Sequence, residues 1–257
     1  ILTILGARPQ FIKASAFSRA IRDYNHNNRS DILEIIVHTG QHFDRDMSDI
    51  FFNELEINKP SYNLGISSLN HGAMTGKMME GIEEIIINES PDFVVVFGDT
   101  NSTLAGALAA KKIHVPIAHI EAGLRSYNLR MPEEVNRILT DRISSFLFCP
   151  TATALENLKK EGFPFLTDDN AEQTISNTGD IMFDVTEFYK DKAKKIIDIS
   201  KWGISDNEFC LSTIHRAENI KESQNLSEII QSISEINSYC PVLLPLHPGT
   251  RIAIEKA

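Results

Sequence analysis

The run Phe93-Val94-Val95-Val96-Phe97 constrains the fold of this chain more than any other stretch. Five consecutive apolar residues, β-branched or aromatic, lack the alternation of a strand with one wet face, so both faces of this strand need cover. Such strands belong to parallel sheets flanked by helices. Further strand-like runs at Ile1–Leu5, Glu34–His38, Ile117–Ile120 and Phe146–Cys149 read the same way. Polar loops and helical patterns follow them: Phe11–Arg22, Asp44 onward, Thr103–Ala110 and Ala152–Lys160, with a further helix over Asn70–Asn88. Strand alternating with helix means an α/β fold of βαβ units. Residues 162–178 read as a polar connection and Ile181–Asp198 as a helix, followed by a linker over Trp202–Asn207. A second α/β pattern then begins: strand Phe209–Ser212, helix Glu222–Asn237, strand Val242–Leu246. The expected division is residues 1–178 and 179–257, each Rossmann-like.

Bulk composition excludes some partners. Twenty-five basic against 35 acidic residues give a net charge of −10, which argues against nucleic acid or a membrane surface as partner. No apolar run reaches membrane-spanning length. Cys149, Cys210 and Cys240 each lie in or beside an apolar run, so buried free thiols in a reducing, cytoplasmic setting are expected. Ile1 enters a strand without a methionine, and Lys256-Ala257 lie inside a helical pattern, so residues are expected to be missing at both ends and the second domain to be truncated.

Candidate site residues gather at strand ends. His119–Arg137 carries Glu121 directly after an apolar run, then Pro132-Glu133-Glu134 and Arg137 in the pattern of a helix start. Asp99 follows Gly98 just beyond Phe93–Phe97; helix capping there is better served by Asn101 or Ser102. Gly6-Ala7-Arg8-Pro9 forms a tight strand-to-helix turn, with Arg8 and Lys13 flanking a helix N-terminus, a ready anion seat. Structural readings stand beside these: Lys13 on a solvated face, Asp44 as a helix cap, Gln41 and His42 as ordinary loop polars. Met74, Met78 and Met79 read as core filler on an apolar helix face. In the second unit, His215-Arg216-Ala217-Glu218-Asn219 and His247-Pro248-Gly249-Thr250-Arg251 end two strands, suggesting a ligand clamped between domains. No metal-ligand spacing occurs.

Seven ordered motifs carry a resemblance: Gly6–Lys13, Thr39–His42, Gly98–Ser102, His119–Ser126, Pro132–Arg137, His215–Asn219 and His247–Arg251. Together they resemble the non-hydrolysing UDP-N-acetylglucosamine 2-epimerases across essentially the whole chain. The resemblance implies two Rossmann-like domains in a glycosyltransferase-B-like arrangement, the second binding UDP. It implies an isomerase of polysaccharide biosynthesis that eliminates UDP to a 2-acetamidoglucal and re-adds it to give the mannosamine epimer. Asp99, Glu121 and Glu133 become the acid/base candidates, with His215 as a further catalytic residue. Arg8, Lys13 and Arg137 form the anion-handling set; Gln41, His42, Arg216, Glu218, Asn219 and His247 complete the substrate-binding one. The implied partner is a UDP-sugar, with no cofactor, no metal and a homodimeric assembly. Three alternatives accompany this reading: a 2-epimerase of a UDP-diacetamido-glucuronate sugar, a hydrolysing 2-epimerase, and a non-catalytic nucleotide-sugar-binding module. Some relatives bind an activating substrate copy near the Gln41 motif; Asp44 replaces a polar amide there, so little or no activation is expected.

Overall fold

The structure, a computed structural model, describes residues 1–40, 55–167, 171–205, 208–214, 219, 223–246 and 248–256. Gln41, His42, Asp44, His215, Arg216, Glu218 and His247 therefore lie outside the described residues. Two compact units result, Ile1–Tyr189 and Lys190–Ala257. The helix Ile181–Ile196 crosses that division. Its first half packs with the larger unit: Val185 is buried, and the Tyr189 hydroxyl donates to the Leu55 carbonyl at 2.7 Å.

The first unit is a seven-stranded, wholly parallel sheet. Its strands are β1 (Leu2–Leu5), β2 (Ile35–His38), β3 (Tyr62–Asn63), β4 (Val94–Phe97), β5 (Ile117–Ile120), β6 (Phe146–Cys149) and β7 (Thr174–Asn177), in the order β3-β2-β1-β4-β5-β6-β7. β4 is buried along its whole length, as its unbroken apolar run requires. Helices α1 (Arg8–Asn28), α2 (His71–Glu89), α3 (Asn101–Lys112), α4 (Pro132–Ile143), α5 (Ala152–Lys160) and α6 (Ile181–Ile196) connect and cover the strands. Met78, Ile82 and Ile86 of α2 join the alanines of α3 in one core cluster; Phe11 and Ala14 of α1 help to form another. The small residues of α3 allow close approach, since a Cβ on Gly106 would stand 3.1 Å from an Ile4 methylene carbon and 3.2 Å from a Val96 methyl. Chain order reverses between β1 and β4, so their carboxyl ends flank the crevice where open α/β sheets hold ligands.

Several details depart from the sequence reading. The connection over 162–178 contains the edge strand β7, whose Thr-Ile-Ser-Asn composition hides it. The α3 cap is Thr100, which accepts from the Thr103 amide, rather than Asn101 or Ser102. Cys149 is buried, but Cys210 is exposed and Cys240 intermediate. Their sulfurs lie 3.7 Å apart as free thiols.

The second unit pairs β8 (Cys210–Leu211) with β9 (Val242–Leu243) in parallel, with α7 (Ser223–Asn237) between them in sequence and α8 (Pro248–Lys256) after them. Among its described residues, Ile204, Ile214 and Leu226 are buried and apolar. No helix among the described residues is long and apolar enough to cross a membrane.

Candidate active site

The turn after β1 is built around Gln10. Its side-chain oxygen accepts from the Gly6 and Ala7 amides at 2.8 and 2.9 Å, while its nitrogen donates to the Phe97 carbonyl at 2.8 Å and to Thr103 Oγ1 at 3.0 Å. A buried amide so fully satisfied is rigid, and it fixes the start of α1 against the end of β4. Gly6 allows this closeness, because a Cβ there would meet Ser102 Oγ at 2.0 Å and Thr39 Oγ1 at 2.3 Å. Arg8, the first residue of α1, is exposed, whereas Lys13 is buried.

Lys13 Nζ donates to Glu121 Oε2 from across the sheet. Glu121 follows β5 with φ at 75°, a left-handed conformation that a side chain rarely adopts and that marks stored strain. Gly98, at φ 64°, faces this pair: a Cβ on it would lie 3.1 Å from Glu121 Oε2 and 3.5 Å from Lys13 Nζ. Asp99 comes next, and its carboxylate takes a bond from Arg137 of α4. Arg137 also donates to Glu134 Oε2 at 2.6 Å. Burial raises the pKa of the Glu134 carboxyl, but the Ser126 and Tyr127 amides and Arg137 more than offset this and hold it below its ordinary value. Burial works against the Arg137 charge, yet Asp99 and Glu134 hold that guanidinium above its usual value. Asn136 donates to the Asp99 carbonyl at 2.9 Å. Two carboxylates, each with its own cation, thus end neighbouring strands beside a helix N-terminus. Such a site suits proton transfer next to a departing anion.

A family model described as UDP-N-acetylglucosamine 2-epimerase matches residues 25–257. The chain belongs to this 2-epimerase family. It is 54% identical over 257 residues to the UDP-2,3-diacetamido-2,3-dideoxy-D-glucuronate 2-epimerase of Pseudomonas aeruginosa, covering 100% of this chain and 69% of that protein. It is 42% identical over 258 residues to the UDP-N-acetylglucosamine 2-epimerase of Methanocaldococcus jannaschii, covering 98% of this chain and 67% of that one. A crystal structure of the Methanocaldococcus jannaschii enzyme in complex with UDP-GlcNAc and UDP superposes with a TM-score of 0.81 at 40% identity, over 99% of this chain and 68% of that one. The family's α/β architecture of parallel sheets with flanking helices agrees with the fold expected from sequence.

Within this 2-epimerase chain, Asp99, Glu121, Lys13 and Arg137 are joined in pairs by direct contact. Glu133 is exposed on the first turn of α4, and Arg8 is exposed on the first turn of α1. In the second unit Asn219 lines a cavity of about 610 Å³ with Ser212, Thr213 and Glu228. No group of three or more His, Cys, Asp or Glu among the described residues is placed to hold a metal. Sequence reasoning did not single out Gln10, Glu134 or Asn136. Gln10 had a signal, an amide at the third helical position where a capping side chain reaches back to the turn. Glu134 had one too, lying three residues before Arg137 on one helix face.

Proposed function

We infer that the protein inverts C2 of a UDP-linked 2-acetamido sugar by eliminating and re-adding UDP, with UDP-N-acetylglucosamine as the first substrate reading. The C2 proton of such a sugar is not acidic. Breaking the C1–O bond to UDP gives the ring oxocarbenium character and makes that proton removable by a carboxylate. The electron pair of the C2–H bond becomes the C1–C2 double bond of a glycal, and the C1–O pair leaves with UDP. Protonation of C2 from the opposite face and return of UDP to C1 complete the inversion. Asp99, Glu121 and Glu133 are the acid/base set. Arg8 at the α1 N-terminus takes the diphosphate.

The two carboxylate–cation pairs on neighbouring strand ends carry this reading. A second substrate, the UDP-diacetamido-glucuronate sugar, is favoured by the 54% identity to an enzyme of that name, against 42% to the UDP-N-acetylglucosamine enzyme cited above. Parallel assays with both nucleotide sugars, separating the 2-epimer from starting material, distinguish the two. Net UDP with free N-acetylmannosamine would instead point to hydrolysis. Binding of both sugars without any product would leave a non-catalytic module.

A further inference from the structure

A second buried network lies beneath the two carboxylates. His119 of β5 is fully buried, and so is Asp141 of α4. His119 Nε2 donates to the Gly98 carbonyl at 2.7 Å, while its Nδ1 meets Asp141 Oδ1 at 2.7 Å. The other Asp141 oxygen accepts from the Gly123 amide at 3.1 Å and from Arg125 NH1 at 2.7 Å. Arg125 continues outward to Glu161 at 2.7 and 2.8 Å.

The spacing along the chain gives this arrangement its meaning. Residues 119 and 123 are both fastened to one carboxylate, and Glu121 lies midway between them, at the strained φ of 75°. The same imidazole reaches sideways to Gly98, the residue before Asp99 and the one facing the Lys13–Glu121 pair. Gly123 lies close against α5, where a Cβ would stand 2.5 Å from the Ala154 carbonyl oxygen. We propose that His119 and Asp141 are positioning residues that fix the separation of the Asp99 and Glu121 carboxylates through the Gly98 carbonyl and the Gly123 amide. Neither is a catalytic residue; both act through the backbone that presents the two acids. A charge buried this deeply is costly unless its partners are exact in place, so the network has few alternative geometries. Displacement of about 1 Å in a reacting group is enough to cost about a hundredfold in rate.

The idea rests on the epimerase reading, and two measurements separate their failures. In the intact protein, His119→Ala should lower kcat about a hundredfold with KM for the nucleotide sugar within about threefold, since substrate contacts elsewhere are untouched. His119→Gln keeps an amide donor for the Gly98 carbonyl and should recover about tenfold of that loss. A kcat within twofold of the parent, a loss carried wholly by KM, or no recovery in His119→Gln would overturn the proposal. Crystal structures decide it without any assay: the Asp99–Glu121 carboxylate separation should change by about 0.5 Å or more in His119→Ala, and unchanged positions overturn it. Should that variant not fold, His119→Gln or Asp141→Asn serves the same comparison. A parent protein that makes no epimer contradicts the proposed function, while the carboxylate separation still decides the positioning role.

Discussion

Asp99 and Glu121 end adjacent strands, β4 and β5, but stand in different settings. Asp99 rests on a guanidinium that is itself anchored on buried Glu134, and Glu134 is held by two backbone amides. Among the described residues Glu121 has a single ammonium as partner, brought from α1, and a backbone bent into the left-handed region. A guanidinium keeps its proton, whereas an ammonium on a flexible stem is a mobile charge that can follow a reacting partner. Under the proposed function, the doubly anchored guanidinium suits Asp99 to charge stabilisation beside an oxocarbenium-like ring, and the single Lys13 contact suits Glu121 to proton transfer. Within the acid/base set of the proposed function, we therefore propose that Glu121 handles the C2 proton and that Asp99 chiefly stabilises charge.

The sharpest break of that comparison is a pair of isosteric changes. Glu121→Gln should lower turnover by about a thousandfold and Asp99→Asn by about a hundredfold, both within the range for a lost acid, base or charge. Steady-state rates on folded variants check the order. Equal losses would remove the distinction, and a larger loss at Asp99 would exchange the two roles.

Glu134→Gln addresses the scaffold of the Asp99 side alone. It removes a buried charge facing Arg137 and weakens the bonds from the Ser126 and Tyr127 amides, while Arg137 keeps Asp99 as partner, so a loss of about 2 kcal/mol of stability is expected, read as a lower urea midpoint. Glu133→Gln, on an exposed neighbour in the same turn, should leave that midpoint nearly unchanged. Gly98→Ala tests the Glu121 side, because its Cβ would crowd the Glu121 carboxylate and its φ of 64° disfavours a side chain. About tenfold lower kcat is expected, the scale of a small misplacement.

A further effect concerns pH and the strand beside β1. Burial lowers the pKa of His38 from 6.5 to about 4, and its Nε2 has no hydrogen-bond partner among the described residues. The unfolded chain then binds the extra proton more readily than the folded one. This contribution to stability is complete above pH 6.5 and declines as pH falls toward about 4. Thermal unfolding across that window should show Tm falling with pH, and His38→Gln should flatten the slope.

Much of this was legible in the sequence because the first unit is locally consistent. The unbroken Phe93–Phe97 run announced a central parallel strand, and α5 spans the residues its pattern assigned. Glu121, Asp99, Lys13 and Arg137 were marked by their places after strands and at helix starts, which topology brings to one sheet edge. The pairings themselves were not legible. Nothing local connects Lys13 with Glu121, 108 residues apart, or Arg137 with Asp99, 38 residues apart. Lys13 stood equally well as a solvated surface charge. β3 and β7 escaped because edge strands carry polar residues and few apolar ones. Gln10 and Asp141 escaped because a buried polar residue reads as a surface one until its partners are known.

The central claim is proton removal at C2 by a carboxylate of this site, and heavy water tests it most directly. The protein is incubated in D2O with UDP-N-acetylglucosamine and, separately, with the UDP-diacetamido-glucuronate sugar, and C2 is followed by NMR and mass spectrometry. A 2-epimer carrying one deuterium at C2 is expected from at least one substrate, with deuterium entry and epimer formation both suppressed in Glu121→Gln. Epimer free of deuterium, or no epimer from either sugar, would contradict it.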